Sequence, residues 1–175
     1  MIIENEWKFL VSEEQFLSIM SFFEKNFDVR KEIFDQINYY YDTDNLALSK
    51  EGITARIRDK NNELNGTFKK HFENGISQEN DFEVDSVPQS IMYGKTKLKK
   101  LGFLLTKRFV FYIEKMCEIC FDENYYLGEK DFEIEIEFIG DYSGLIYLPN
   151  RSNTPSKYSR FLSKYEKTRT KKAPD

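Results

Sequence analysis

Phe132-Glu133-Ile134-Glu135-Ile136-Glu137-Phe138 alternates without a break. Successive strand side chains point to opposite faces, so three carboxylates line one face and four apolar groups the other. Glu4-Asn5-Glu6-Trp7-Lys8-Phe9-Leu10-Val11 repeats the device near the N-terminus, with Glu4, Glu6 and Lys8 on one side and Asn5, Trp7 and Phe9 on the other. A charged strand face is ordinarily a wet outer face. Here, however, the charge is sorted by sign from strand to strand. It is acidic at 4–6, 81–85 and 133–137 and basic at Arg56, Arg58 and Lys69, with Arg108 elsewhere.

Between these stretches the punctuation is regular. Ser12 caps a helix with Gln15 at the reciprocal position, and Phe16, Ile19, Met20 and Phe23 form its stripe. Residues 29–42 run extended into Tyr39-Tyr40-Tyr41-Asp42-Thr43, with a turn at Asp44-Asn45. Ile53–Arg58 and Thr67–Phe72 are strands, separated by a turn region marked by Asn61-Asn62 and Asn65-Gly66. Asn74-Gly75 is a hairpin signal, and the returning strand runs to Asp85. Pro88 to Gly102 reads as a second helix with Ile91, Leu98 and Leu101 buried and its lysines solvated. Leu105–Tyr112 and about 116–122 follow as strands, and Asn124 and Gly128 bracket a turn. Thr154 and Pro155 start a last helix, with Tyr158, Phe161, Leu162 and Tyr165 on its apolar side. Residues 168–175 read as a basic, disordered tail, leaving 1–167 as a single domain.

The chain has 175 residues, 40% hydrophobic and 32% charged, which suits one soluble domain with a real core. Sixteen Phe and eleven Tyr favour strands over a helical bundle. A net charge of −4 argues against DNA binding through a basic surface. No apolar run is long enough to span a bilayer, and the acidic N-terminus lacks a signal-peptide pattern, so a cytoplasmic location is expected. Cys117 and Cys120 form a lone C-x-x-C on a strand, which puts the thiols on opposite faces. With His71 as the sole histidine, buried reduced thiols are expected rather than a zinc site.

About eight strands with few helices suggest an antiparallel sheet large enough to close. The fold expected is mainly β: a closed eight-stranded antiparallel β-barrel tunnel with a charged lumen, flanked by about three helices that cover its apolar exterior. Arg and Lys in such a lumen favour a polyanion, and carboxylates facing them favour a hard cation, Mg²⁺ or Mn²⁺. A phosphate chain bridged to metal is the phosphoryl-transfer arrangement. No Walker A or other glycine-rich phosphate loop is present, so side chains must cradle the phosphates.

These residues resemble a known family. Glu4-x-Glu6-x-Lys8 is similar to the E-x-E-x-K signature of CYTH proteins, the triphosphate tunnel metalloenzymes. Arg56-Ile57-Arg58, Thr67-Phe68-Lys69, Leu105-Thr106-Lys107-Arg108 and Glu135-Ile136-Glu137-Phe138 resemble its later motifs, in order. The resemblance implies a metal-dependent triphosphatase acting on an inorganic or organic triphosphate. Lys8, Arg56, Arg58, Lys69, Arg108 and Lys157 would grip the substrate. Glu4, Glu6, Glu135 and Glu137, with Glu83 and Asp122, would hold metal. Lys8 beside Glu4 and Glu6 is the implied catalytic group. A class IV adenylate cyclase, with a tyrosine of 39–41 stacking on the base, and a non-catalytic polyphosphate- or nucleotide-binding module are the alternatives. Asp81 and Thr106 depart from the family pattern, where a Glu and a Lys are common.

Overall fold

The computed structural model describes residues 2–3, 6–72, 76–113, 117–138 and 154–170. Ten strands are formed in the order β1 (Ile2–Ile3), β2 (Glu6–Val11), β3 (Lys31–Asp42), β4 (Ile53–Lys60), β5 (Glu63–His71), β6 (Ile76–Phe82), β7 (Ser90–Tyr93), β8 (Thr96–Ile113), β9 (Cys117–Tyr126) and β10 (Glu129–Phe138). The helices are α1 (Glu13–Asn26), α2 (Ala47–Lys50) and α3 (Lys157–Thr170). The sheet order is β1-β6-β5-β4-β3-β8-β9-β10-β2, with β7 on β8. Among the described residues this path has two ends, β1 and β2.

The chain divides into two compact units, and β3 and β8 each run through both. One unit holds β2, α1, β9, β10, the start of β3 and the end of β8. Its core is aromatic. Phe16 of α1 is fully buried against Phe111, Phe121, Phe132 and Ile134, which all stand on the apolar faces of their strands. The capping box at Ser12 and Gln15 fixes where α1 begins, with both reciprocal hydrogen bonds made. The other unit holds β4 to β7, α2, α3 and the remaining parts of β3 and β8. Tyr41, Ile53, Ala55, Ile57 and Leu98 form its core. In both units the opposite, polar faces are buried too: Asn38, Thr67, Ser77, Asp122, Asn124, Glu133 and Glu135 are all nearly inaccessible. At these positions the alternating strands are therefore covered on both faces.

Several local expectations change. The helix expected from Pro88 to Gly102 is instead the β7–β8 hairpin, turning at Gly94, whose φ is +57°. Ile91 and Leu98 are direct cross-strand partners there, so the seven-residue spacing that resembles a helical stripe is produced by a two-residue turn. The third helix is α2, where only a turn was expected. The Asp42 carboxylate accepts from the Leu48 and Ser49 amides (3.0 Å each) and Thr43 Oγ1 from the Ala47 amide (2.8 Å), so these two residues satisfy its first turn. Asn65-Gly66 lies inside β5, and the turn is confined to Asn61-Asn62, both at positive φ. Asn124 lies inside β9, and the next turn is Leu127-Gly128. The returning strand β6 ends at Phe82, short of Asp85. The Asn74-Gly75 turn lies outside the described residues, although β5 and β6 pair as the expected hairpin. Helix α3 extends to Thr170.

Candidate active site

In the α1 unit, β2, β10, β9 and β8 each bring one set of charged groups to the polar face. The register pairs Glu135 with Lys8 and Glu137 with Glu6 across β10 and β2. Lys8 Nζ lies 2.8 Å from Glu6 and 3.5 Å from Glu135. Glu6, Glu135 and Glu137 each offer an oxygen within 4.8 Å of the others. Three hard anionic donors at that spacing suit an octahedral divalent cation with water completing its shell. Arg108 of β8 closes the group from the other side. Its Nε and Nη2 reach Asp122 at 2.8 and 2.6 Å, Nη2 also contacts Glu135, and Nη1 lies 3.5 Å from Glu137. Burial works against the guanidinium charge, but the Asp122 and Glu135 carboxylates outweigh it and hold Arg108 well above its usual value. Burial pushes the Glu137 carboxyl up; Arg108 and Lys8 oppose the shift, while Glu135 and Glu118 add to it.

The second unit carries the cations. Arg58 Nε donates to Asn38 Oδ1 at 3.0 Å, which aims the guanidinium along the polar face. Arg56 is opposite Tyr40 in the β3–β4 register, and Lys69 is opposite Thr54 across β4–β5. Tyr40 is packed between Tyr158 and Phe161 of α3, with ring centroids 4.9 and 5.0 Å away. Burial pushes its phenol up, with Arg56, Lys157, Arg58 and Arg160 acting against the shift. Helix α3 thus delivers Lys157 to the neighbourhood of Arg56 and Arg58. The same helix is tied down by Tyr158, whose hydroxyl donates to Asp42 at 3.3 Å.

Of the site residues named from the sequence, Lys8, Glu6, Glu135, Glu137, Asp122 and Arg108 form one group, and Arg56, Arg58, Lys69 and Lys157 another. Glu4 lies outside the described residues. Glu83 is exposed beyond the end of β6, in a shallow depression with Asp81 and Asp85, and is not among the three converging carboxylates. Asp122 is engaged by Arg108 as its counter-ion. The two departures have local roles: Thr106 donates to Asn124 at 2.7 Å, and Asp81 accepts from Thr67 at 2.8 Å. Tyr40 and Tyr41 are buried in packing, Tyr41 donating to the Pro88 carbonyl, and so present no free face to a base. His71 pairs with Thr54 at 3.3 Å. Cys120 is buried, Cys117 half-buried, and both thiols are free. Two participants were not singled out from the sequence. Glu79 bridges Lys69 and Arg56, and Asn38 orients Arg58. The signal for both was present: Ser77, Glu79 and Asp81 alternate, as do Gln36, Asn38, Tyr40 and Asp42.

A cluster of carboxylates spaced to suit a hard cation and another cluster of arginines and lysines are what the candidate site presents. The CYTH domain model matches residues 3–141, and the chain belongs to that family. It is similar to the candidate triphosphatase YjbK of Bacillus subtilis (strain 168), with 32% identity over 155 residues that cover 77% of each chain. A solved structure of a candidate adenylate cyclase from Bacillus halodurans superposes with a TM-score of 0.70 at 25% identity, covering 91% of this chain and 97% of that one. The candidate adenylyl cyclase HpAC1 from Hippeastrum, described as having a dominant triphosphatase activity, gives a TM-score of 0.69 at 18% identity over 91% and 95% of the two chains. That last likeness shows the fold alone. No helix among the described residues is long and apolar enough to cross a membrane.

Proposed function

We propose that this protein is a divalent-metal-dependent triphosphatase that hydrolyses a phosphoanhydride bond of an inorganic or organic triphosphate. The reading includes closure of the sheet into a tunnel, with residues 1–167 as a single domain. The observation that carries it is the convergence of Glu6, Glu135 and Glu137 beside Lys8 and Arg108 on one strand face, with Glu135 buried at its centre. Family membership and the name of the B. subtilis relative support the same activity.

Glu6, Glu135 and Glu137, with Glu4, would hold Mg²⁺ or Mn²⁺; Glu83 and Asp122 stand as weaker members of that set. A bound cation supplies charge neutralisation on the phosphoryl oxygens. Arg56, Arg58, Lys69, Lys157 and Arg108 donate N–H groups to the phosphate oxygens and fix the chain in line. Such fixed donors stabilise the charge that develops on the transferring group more than the charge already present. Lys8, held between Glu6 and Glu135, is a proton-bearing group aimed at the reacting centre and orients the attacking water.

The test is phosphate release from tripolyphosphate and a panel of nucleoside and thiamine triphosphates, with and without Mg²⁺ and Mn²⁺. Release is expected only with metal and is expected to vanish in Glu135→Ala plus Glu137→Ala. Full activity in that double variant would refute the site. One solved relative is named as a candidate adenylate cyclase, so ATP is included with product analysis: ADP and phosphate support hydrolysis, and cyclic AMP with diphosphate supports the cyclase. Metal-dependent tripolyphosphate binding without turnover would leave only the binding-module reading.

A further inference from the structure

Among the described residues of the cation group, Glu79 works against gripping a polyanion. It stands on β6 directly opposite Lys69 in the β5–β6 register. A single oxygen, Oε1, lies 3.1 Å from Lys69 Nζ and 4.0 Å from Arg56 Nη2, so one atom serves two cations, as a phosphoryl oxygen would. All three side chains are about one-fifth exposed or less, which leaves the contact weakly screened. The cluster is nevertheless incompletely satisfied. Arg56 Nε is buried with no hydrogen-bond partner among the described residues. So is the hydroxyl of Ser77, two positions from Glu79 on the same strand face. Buried donors without acceptors are rare in finished structures and mark places where a ligand or water completes the bonding. Glu79 is long enough to hold two cations loosely, yet it leaves donors on both sides of it unused.

We infer that Glu79 is a displaceable internal anion: it occupies Lys69 and Arg56 in the empty protein and discriminates against phosphate chains that arrive without a divalent cation. The inference rests on the triphosphate reading above, which makes Lys69 and Arg56 phosphate donors. A bare tripolyphosphate brings its full negative charge against the Glu79 carboxylate. A metal-complexed chain brings less, and its oxygens can take over Lys69 and Arg56 at smaller cost. Like charges a few ångströms apart in a partly buried site act strongly enough to change affinity by an order of magnitude.

Calorimetric titration of tripolyphosphate in EDTA, and KM for tripolyphosphate with Mg²⁺, test this on wild type, Glu79→Gln, Glu79→Asp and the exposed control Glu63→Gln. Glu79→Gln is expected to bind the metal-free chain about tenfold more tightly, with a much smaller change in KM with Mg²⁺. Glu79→Asp retains the charge, retracts it from Lys69, and is expected to fall between the two; it also serves if the Gln variant does not fold. Glu63→Gln is expected to match wild type in both measurements. Metal-free binding by Glu79→Gln no tighter than wild type, or an equal tightening with and without Mg²⁺, would overturn the inference and leave the triphosphatase reading standing. Wild type that binds no tripolyphosphate under either condition would overturn both.

Discussion

Arg108 should be the most costly single side chain to remove. In Arg108→Met the packing volume of the stem is kept, but Asp122 and Glu135, at 0% and 4% side-chain exposure, lose their shared counter-charge. Taking away one partner of a buried ion pair costs about 3–5 kcal/mol, because the remaining charge is left desolvated. For a chain of this length that corresponds to a fall in Tm of about 6–20 °C. Denaturant unfolding of both proteins in EDTA measures the difference. A deficit below about 1 kcal/mol, the range of an exposed ion pair, would refute the reasoning.

Two further outcomes follow from the described geometry. Burial raises the Glu137 carboxyl, so protons compete with a cation there to higher pH than at a free carboxylate; stabilisation by Mg²⁺ or Mn²⁺ should be larger at pH 8 than at pH 5 in thermal unfolding, and equal shifts would count against Glu137 as a ligand. A Cβ at Gly66 would come within 2.3 Å of the Phe82 ring, itself stacked on Phe68 at 4.8 Å, so Gly66→Ala should cost about 1–3 kcal/mol by overpacking, and Phe82→Leu in the same chain should recover part of it; an unchanged unfolding midpoint would show that the ring moves aside freely.

What the sequence determined by itself is the composition of each strand face. Period-two alternation is a covalent fact of an extended chain, so Glu133, Glu135 and Glu137 had to share a side, as did Arg56 and Arg58. The sorting of those faces by sign, together with motif order, was enough to name the family. It also fixed the beginning of α1, because a capping box is local chemistry. Tertiary structure decided which faces touch. The three-way grip of Arg108 on Asp122, Glu135 and Glu137 depends on the register of β8, β9 and β10, and the closure of Lys69 and Arg56 on Glu79 depends on that of β4, β5 and β6. Register is set by long-range pairing, which no short window contains. The same limit explains the helix expected at 88–102: Ile91 and Leu98 are seven apart along the chain whether they stack on one helix face or oppose each other across a turn. The hydrophobic cluster around Tyr41 and Ile57, far away in sequence, selects the hairpin, because it buries Leu98 and packs against Ile91 on a sheet that already exists.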